Sequence, residues 1–525
     1  MNWILVAIAL LAQEAPVPVA VKARVEGVVI NSLNGETLRK ATVILRAHDQ
    51  NHALSYADET DASGHFSIDD VEPGEYAVLA ERAGFSSQSS GATGAPPPDI
   101  KVEAGQQIKD LKIRLIPLGV IAGRVLDADG EPVPGARVSA ERYVYTAGKK
   151  ELRTVSQVQT GDKGEFRLFG LGAGTFFLMA THGRFSPIGL PQSVSTFFPS
   201  AADQAHAAPV ELRTGAQLQG FDIRLQSTGL YSVRFEFPEG HALEGSLAPR
   251  LVGEQGTRYF GPMSVSNDLV FLGVSPGSYD AIIGLDDEGK MSYAIQHVEV
   301  TNADVDGGTL TFVPGVDVKG TVRVEGGPFN GLETLRLNLE SEYRTAGLGS
   351  VMAAMKPDGS FLIKAAVPQV YELALARTPG VYLKSIRAGD KQLDNRRIDL
   401  SSKLGHLTVV LGADAGEVEG TVLNAKGEPV ARARVNAIAY GDHAAWGGLN
   451  RFGFSDDKGE FKIKDVPPGE YKVFAWEDVP VGAPQDPEFR KPFEKQAPTL
   501  RMPPNGSEKM QVTAISKAQV DRLSQ

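Results

Sequence analysis

At 525 residues with 42% hydrophobic content, the chain is too long for one core and too apolar for broad disorder, and its length allows three to five domains. A net charge of −11, without any long Lys/Arg cluster, argues against nucleic acid or an anionic membrane surface as partner. The absence of cysteine excludes disulfides, thiol nucleophiles, thiolate metal sites and a lipidated N-terminal Cys.

The first element in chain order is the apolar run 3–12, too short to cross a bilayer and followed at once by polar, Pro-rich sequence. Residues 1–15 therefore read as a secretory signal peptide cut near Ala12 or Ala15. A buried first strand is the alternative, because neither Lys nor Arg precedes the run. No later stretch reaches transmembrane length, so no integral membrane segment is expected after signal removal. Periplasm, cell envelope or extracellular space is the expected address.

After the signal, one phrase returns along the chain. It first reads Val25-Glu26-Gly27-Val28-Val29, then Ser63-Gly64-His65-Phe66, then Pro73-Gly74-Glu75-Tyr76. Its last copy reads Val418-Glu419-Gly420-Thr421-Val422, then Lys458-Gly459-Glu460-Phe461, then Pro468-Gly469-Glu470-Tyr471. The opening glycines fall at Gly27, Gly123, Gly320 and Gly420, so one interval is double the others and predicts a hidden copy between the second and third. Phe271 leading to Pro276-Gly277-Ser278-Tyr279 supplies it. Five β-sandwich modules follow: 22–116, 118–226, a divergent 229–313, 316–412 and 414–515, with a tail at 516–525. Short junctions between them restrict bending.

Each phrase has a physical cause. Asp61-Ala62-Ser63-Gly64 and Asp456-Asp457-Lys458-Gly459 suit hairpin turns whose Gly takes positive φ. Phe461-Lys462-Ile463-Lys464 alternates as a strand with one buried face. Pro-Gly predicts a type II turn at the next corner, and the Tyr two residues on is expected to cover the module's end as a corner tyrosine. Helical periodicity is confined to 486–495 and the tail after Ala514.

Gly123-Arg124-Val125, the segment Gly130-Glu131-Pro132-Val133-Pro134-Gly135-Ala136 and Gly164-Glu165-Phe166 together resemble the carboxypeptidase regulatory-like domain. So do Gly420-Thr421-Val422, Gly427-Glu428-Pro429-Val430 and Pro468-Gly469-Glu470-Tyr471. The resemblance implies an all-β, Ig-like or transthyretin-like sandwich, repeated about five times in tandem. The family is a non-catalytic accessory module, grouped with starch-binding-like and Cna-B-like sandwiches. It covers modules one, two and five well, four partly and three poorly.

Catalytic patterns are isolated and incomplete. A zinc carboxypeptidase requires a His-x-x-Glu pair with a distant His, and the chain offers one such pair, His241 with Glu244. Its one Gly-x-Ser-x-Gly run, Gly273 to Gly277, contains the repeated Pro-Gly corner between strands and does not open a helix as a nucleophile elbow does. His48 and His52 have ligand spacing but follow a strand, and Asp127-Ala128-Asp129-Gly130-Glu131 is an incomplete calcium loop that suits a hairpin turn. Lys319, on an opening strand, is the one candidate for a Cna-B-like Lys–Asn bond, which needs a buried Lys. No catalytic residue, cofactor or metal is expected, and the chain reads as no enzyme.

Ligand binding concentrates in module five. Apart from Trp3, the chain's tryptophans are Trp446 and Trp476, and Tyr440, His443, Trp446 and Phe452 crowd a Gly-rich segment near them. Such rings can stack on sugars or form a protein hot spot, or else fill the module's own core. Module two carries an insertion around Phe197-Phe198-Pro199 that lengthens it. The expected function is a non-catalytic exported scaffold binding a protein or polysaccharide of the cell envelope. The alternative is a carbohydrate-binding protein using Tyr440, His443, Trp446, Phe452 and Trp476.

Overall fold

The computed structural model describes residues 21–48, 55–87, 97–146, 148–185, 191–226, 229–238, 246–253, 258–260, 263–265, 268–287, 290–341, 351–376, 378–393, 395–441 and 447–522. The signal segment lies outside the described residues. Among those described, regular structure is almost wholly β, with two short α-helices at Pro487–Arg490 and Lys517–Asp521. No described helix is long and apolar enough to cross a membrane. Contacts gather module one and Arg213–Ala216 into one compact unit, and the rest of modules two to five into another.

The fold is a tandem array of two-layer β-sandwiches, each built on the same plan. In module five the opening strand Gly416–Leu423 runs antiparallel to Glu460–Val466 and parallel to the closing strand Ser507–Ile515. Module one pairs Ala23–Asn31 with His65–Val71 and Gln107–Pro117 in the same senses. Modules three and four repeat the arrangement with Tyr231–Glu236 and Val316–Glu325. In module one the facing sheet has the order Ser55–Glu59, Thr42–Ala47, Gly74–Glu81 and Asp99–Val102. Alternate residues point between the two layers, so Val25, Val29, Val43, Leu45, Phe66 and Tyr76 are buried together.

The opening glycine is needed because the closing strand comes so near. A Cβ on Gly420 would collide with the carbonyl oxygen of Met510, and one on Gly27 or Gly123 with that of Leu111 or Phe221. Divergent module three solves the same crowding in reverse. Phe235 stands on its opening strand, and the partner Val305–Thr309 supplies Gly307, where a Cβ would strike the Phe235 ring.

Turn glycines Gly64, Gly164, Gly359 and Gly459 have φ of 77°, 70°, 76° and 78°, as hairpins of this type require. The Pro-Gly corner is not the expected type II turn. Gly174, Gly277 and Gly469 have φ of 144°, 158° and 151°, far from the roughly +80° of that turn. The left-handed residue lies further back, at Asp70, Gly170, Gly273, Ala365 and Asp465. In modules one, three, four and five the opening strand's register shifts at the same place, so the chain bends there through a β-bulge and enters the next strand directly.

The cores are not all separate. Modules one and three have their own clusters, whereas those of modules four and five run together. Modules four and five therefore share one continuous apolar centre at their junction, where Tyr382 donates to Asp414 Oδ1 at 2.8 Å and Gly380 N–H to Asp465 Oδ1 at 3.3 Å.

Candidate functional site

Module five carries a second apolar core beside its sandwich interior. On Gly469–Trp476, residues Tyr471, Val473 and Ala475 face the sandwich interior, which turns Phe474 and Trp476 to the outer face. In modules one and four the passage that follows supplies a strand beside the closing strand, Phe85–Ser87 or Tyr382–Ala388. In module five it folds instead into Ala483–Gln485, Pro487–Arg490 and Lys491–Phe493. Pro487 begins the α-helical turn and Asp486 caps it, accepting Glu488 N–H at 2.9 Å.

These turns and Lys517–Asp521 lay Val479, Ala483, Phe493 and Val520 over Ile438, Phe474 and Trp476. Phe474 and Trp476 stack at 5.7 Å, and Phe493 meets Trp476 edge-on at 5.1 Å. Trp476 is 0% exposed, which takes it out of the expected ligand-binding set. Alternation marked its outward direction, but not the segment that folds back to cover it.

Two other rings on that outer face are exposed. Phe452 lies opposite Asn436 on the neighbouring strand and is 38% exposed; Tyr440, 47% exposed, follows four residues beyond Asn436 and shares its face. The two rings are thus on the order of 13 Å apart along the strand. Each is backed by a cation. The Arg434 guanidinium sits 4.3 Å from the Phe452 ring centre and 5.7 Å from that of Phe454, and the Lys472 ammonium 5.6 Å from that of Tyr440. Burial pushes the Arg434 pKa below its ordinary value. His443 and Trp446 lie outside the described residues.

The other candidates resolve into turns and edges. Asp127 Oδ1 accepts the N–H groups of Asp129 and Glu131, which makes its loop a hairpin turn. His48 Nε2 lies 2.8 Å from Asp99 Oδ1; His52 lies outside the described residues. Lys319 is exposed, so it lacks the burial that a Lys–Asn bond requires. The module two insertion supplies the edge strand Pro191–Phe197 and borders a shallow cavity of about 370 Å³ lined by Pro199, Asp203, His206 and Gln226. Among the described residues no three His, Asp or Glu side chains are grouped to hold a metal.

Sequence reading missed a recurring buried hydroxyl just before the turn. Thr60 Oγ1 donates to Leu38 O at 2.6 Å and accepts Ala41 N–H at 2.8 Å. Thr160 joins Val133 O and Ala136 N–H in the same way, as Ser455 joins Val430 O and Ala433 N–H. The signal was available, since Thr60, Thr160 and Ser455 each stand four residues before the turn glycine.

The family model of the carboxypeptidase regulatory-like domain matches residues 24–115 and 120–197. No curated protein matches the chain. Among solved structures, the Bacillus anthracis TIE protein is 11% identical, with 76% of this chain and 74% of that chain covered and a TM-score of 0.16. GBS52, the minor pilin of the Gram-positive pathogen Streptococcus agalactiae, is 10% identical over 39% of this chain and 97% of its own, with a TM-score of 0.22. BcpA, the major pilin subunit of Bacillus cereus, is 10% identical over 75% and 99%, with a TM-score of 0.15. Likeness at this level carries nothing about function. Modules one and two thus carry the carboxypeptidase regulatory-like domain, and the later modules repeat their sandwich plan.

Proposed function

We propose that the protein is a non-catalytic, exported scaffold whose sandwiches present loop surfaces to a protein or polysaccharide of the cell envelope. One observation carries this reading: the polar groups that recur from module to module serve the backbone. Asp61, Asp127, Asn424 and Asp456 accept turn amides, while Thr60, Thr160 and Ser455 bridge buried main chain. Groups so engaged hold loops in place and leave the loop tips free to vary, the usual division of labour in a binding scaffold. The apolar run at 3–12 supports export.

The test is co-sedimentation of the purified chain with the polysaccharide and protein fractions of an isolated envelope. Saturable binding to one fraction is expected. Catalytic turnover abolished by a single carboxylate or His substitution would contradict the reading.

The exposed pair Tyr440 and Phe452 favours carbohydrate as a second reading of the same surface. Rings some 13 Å apart on one face suit sugars about two to three units apart along an extended polysaccharide. Titration of the intact chain with a polysaccharide panel should show binding that falls at least tenfold in Tyr440→Ala/Phe452→Ala. Undiminished binding in the double variant would rule that surface out.

A further inference from the structure

Two departures from the common module plan meet each other. In module two, the hairpin of Arg137–Thr146 and Lys149–Gln159 is far longer than its counterparts, Thr42–Ala47 with Ser55–Glu59 and Arg336–Ser341 with Val351–Ala354. In module five, the helical passage Ala483–Phe493 replaces a strand. The tip of the long hairpin rests on that passage.

Tyr145 packs against the second core of module five and meets the Phe489 ring edge-on at 5.7 Å. Its hydroxyl pKa is raised by burial and by the charge of Asp486. Both sides make room in their main chain. Gly148 has φ of 79°, and a Cβ there would lie 2.8 Å from the Gln485 carbonyl oxygen. Gly482 has φ of 86°, and a Cβ there would collide with the Tyr145 carbonyl. A glycine stands on each side just where any side chain would hold the two segments apart.

The remaining neighbours in this unit also touch. Strand Pro191–Phe197 of module two lies beside Asp268–Val274 of module three. Tyr293 of module three donates to Ala365 O of module four at 3.0 Å, and Tyr382 of module four to Asp414 of module five at 2.8 Å. We infer that the Tyr145 hairpin is an intramolecular clasp whose partner is the Phe489 face of module five, so that modules two to five open and close as one cooperative unit.

The clasp makes a reciprocal demand, because two surfaces that stabilise each other must each be weakened by damage to the other. Hydrogen–deuterium exchange of the intact chain reads this directly. Tyr145→Ala should accelerate exchange across 483–493 at least tenfold. Gly482→Ala, which adds a methyl group against the Tyr145 carbonyl and deletes nothing, should accelerate exchange across 143–150 by a similar factor. Slow exchange at 434–439 in both variants identifies them as folded. Acceleration confined to the substituted side, or absent from both, would overturn the clasp.

Discussion

The ring of Phe235 occupies the space that a side chain at Gly307 would need. In modules one, two and five the glycine stands on the opening strand, at Gly27, Gly123 and Gly420, and yields to the closing strand's carbonyl. Module three has moved the small residue across the pair and filled the vacated side with an aromatic ring. Gly307→Ala should therefore destabilise module three by about 1–3 kcal/mol, the usual range for an overpacked core. Hydrogen exchange across 268–287 in the intact chain should accelerate accordingly. Phe235→Leu added to Gly307→Ala should recover part of the loss, since it removes the atoms that collide.

The buried hydroxyls are the second target. Thr160→Val keeps the shape but strands the Val133 carbonyl and the Ala136 N–H, each without a substitute among its present partners. A cost of about 1–3 kcal/mol is expected for that loss. Exchange at 133–140 should rise with it, whereas Thr160→Ser should stay near wild type.

Tyr76 links stability to alkaline pH. Burial, with the neighbouring Tyr56 and Glu72, pushes its pKa up to about 12, and its hydroxyl donates to Glu72 O at 2.8 Å. The folded state thus holds the proton more tightly than the unfolded chain, whose tyrosines ionise near 10. Module one keeps this stability below about pH 10 and loses it as pH rises through about 12. Unfolding followed between pH 9 and 12 should show that fall, and Tyr76→Phe should flatten it.

Much of this plan was legible in the sequence. Turn glycines at 64, 164, 359 and 459 take the left-handed conformation their spacing predicted, and Tyr76, Tyr279 and Tyr471 each donate to the carbonyl four residues earlier. The bulge was not legible. Its left-handed residue is Asp in two modules, Gly in two and Ala in one, so no residue type marks it. Nor was the fate of Trp476, because periodicity reports the direction of a side chain and not what later folds over it. The surface pair was only half legible: Tyr440 and Phe452 are exposed as a binding site requires, while their neighbour Trp476 is core.

Trp476 supplies a direct check on the second core. In a chain carrying Trp3→Phe and Trp446→Phe, the remaining indole should resist iodide quenching and emit at short wavelength. Trp476→Ala should cost about 3–5 kcal/mol, as large-to-small changes in aromatic cores do. Exchange across 483–497 should be the first to accelerate. A readily quenched Trp476 would deny that the helical passage covers it.

The central claim is that the loop surfaces of these sandwiches bind and do not catalyse. Because the chain has no cysteine, Tyr440→Cys can carry a single photocrosslinker into the native cell. The account predicts one discrete adduct with an envelope protein or polysaccharide, lost when Phe452→Ala is added. An adduct pattern unchanged by Phe452→Ala, or no adduct at all from a protein that turns over a small substrate, would contradict it.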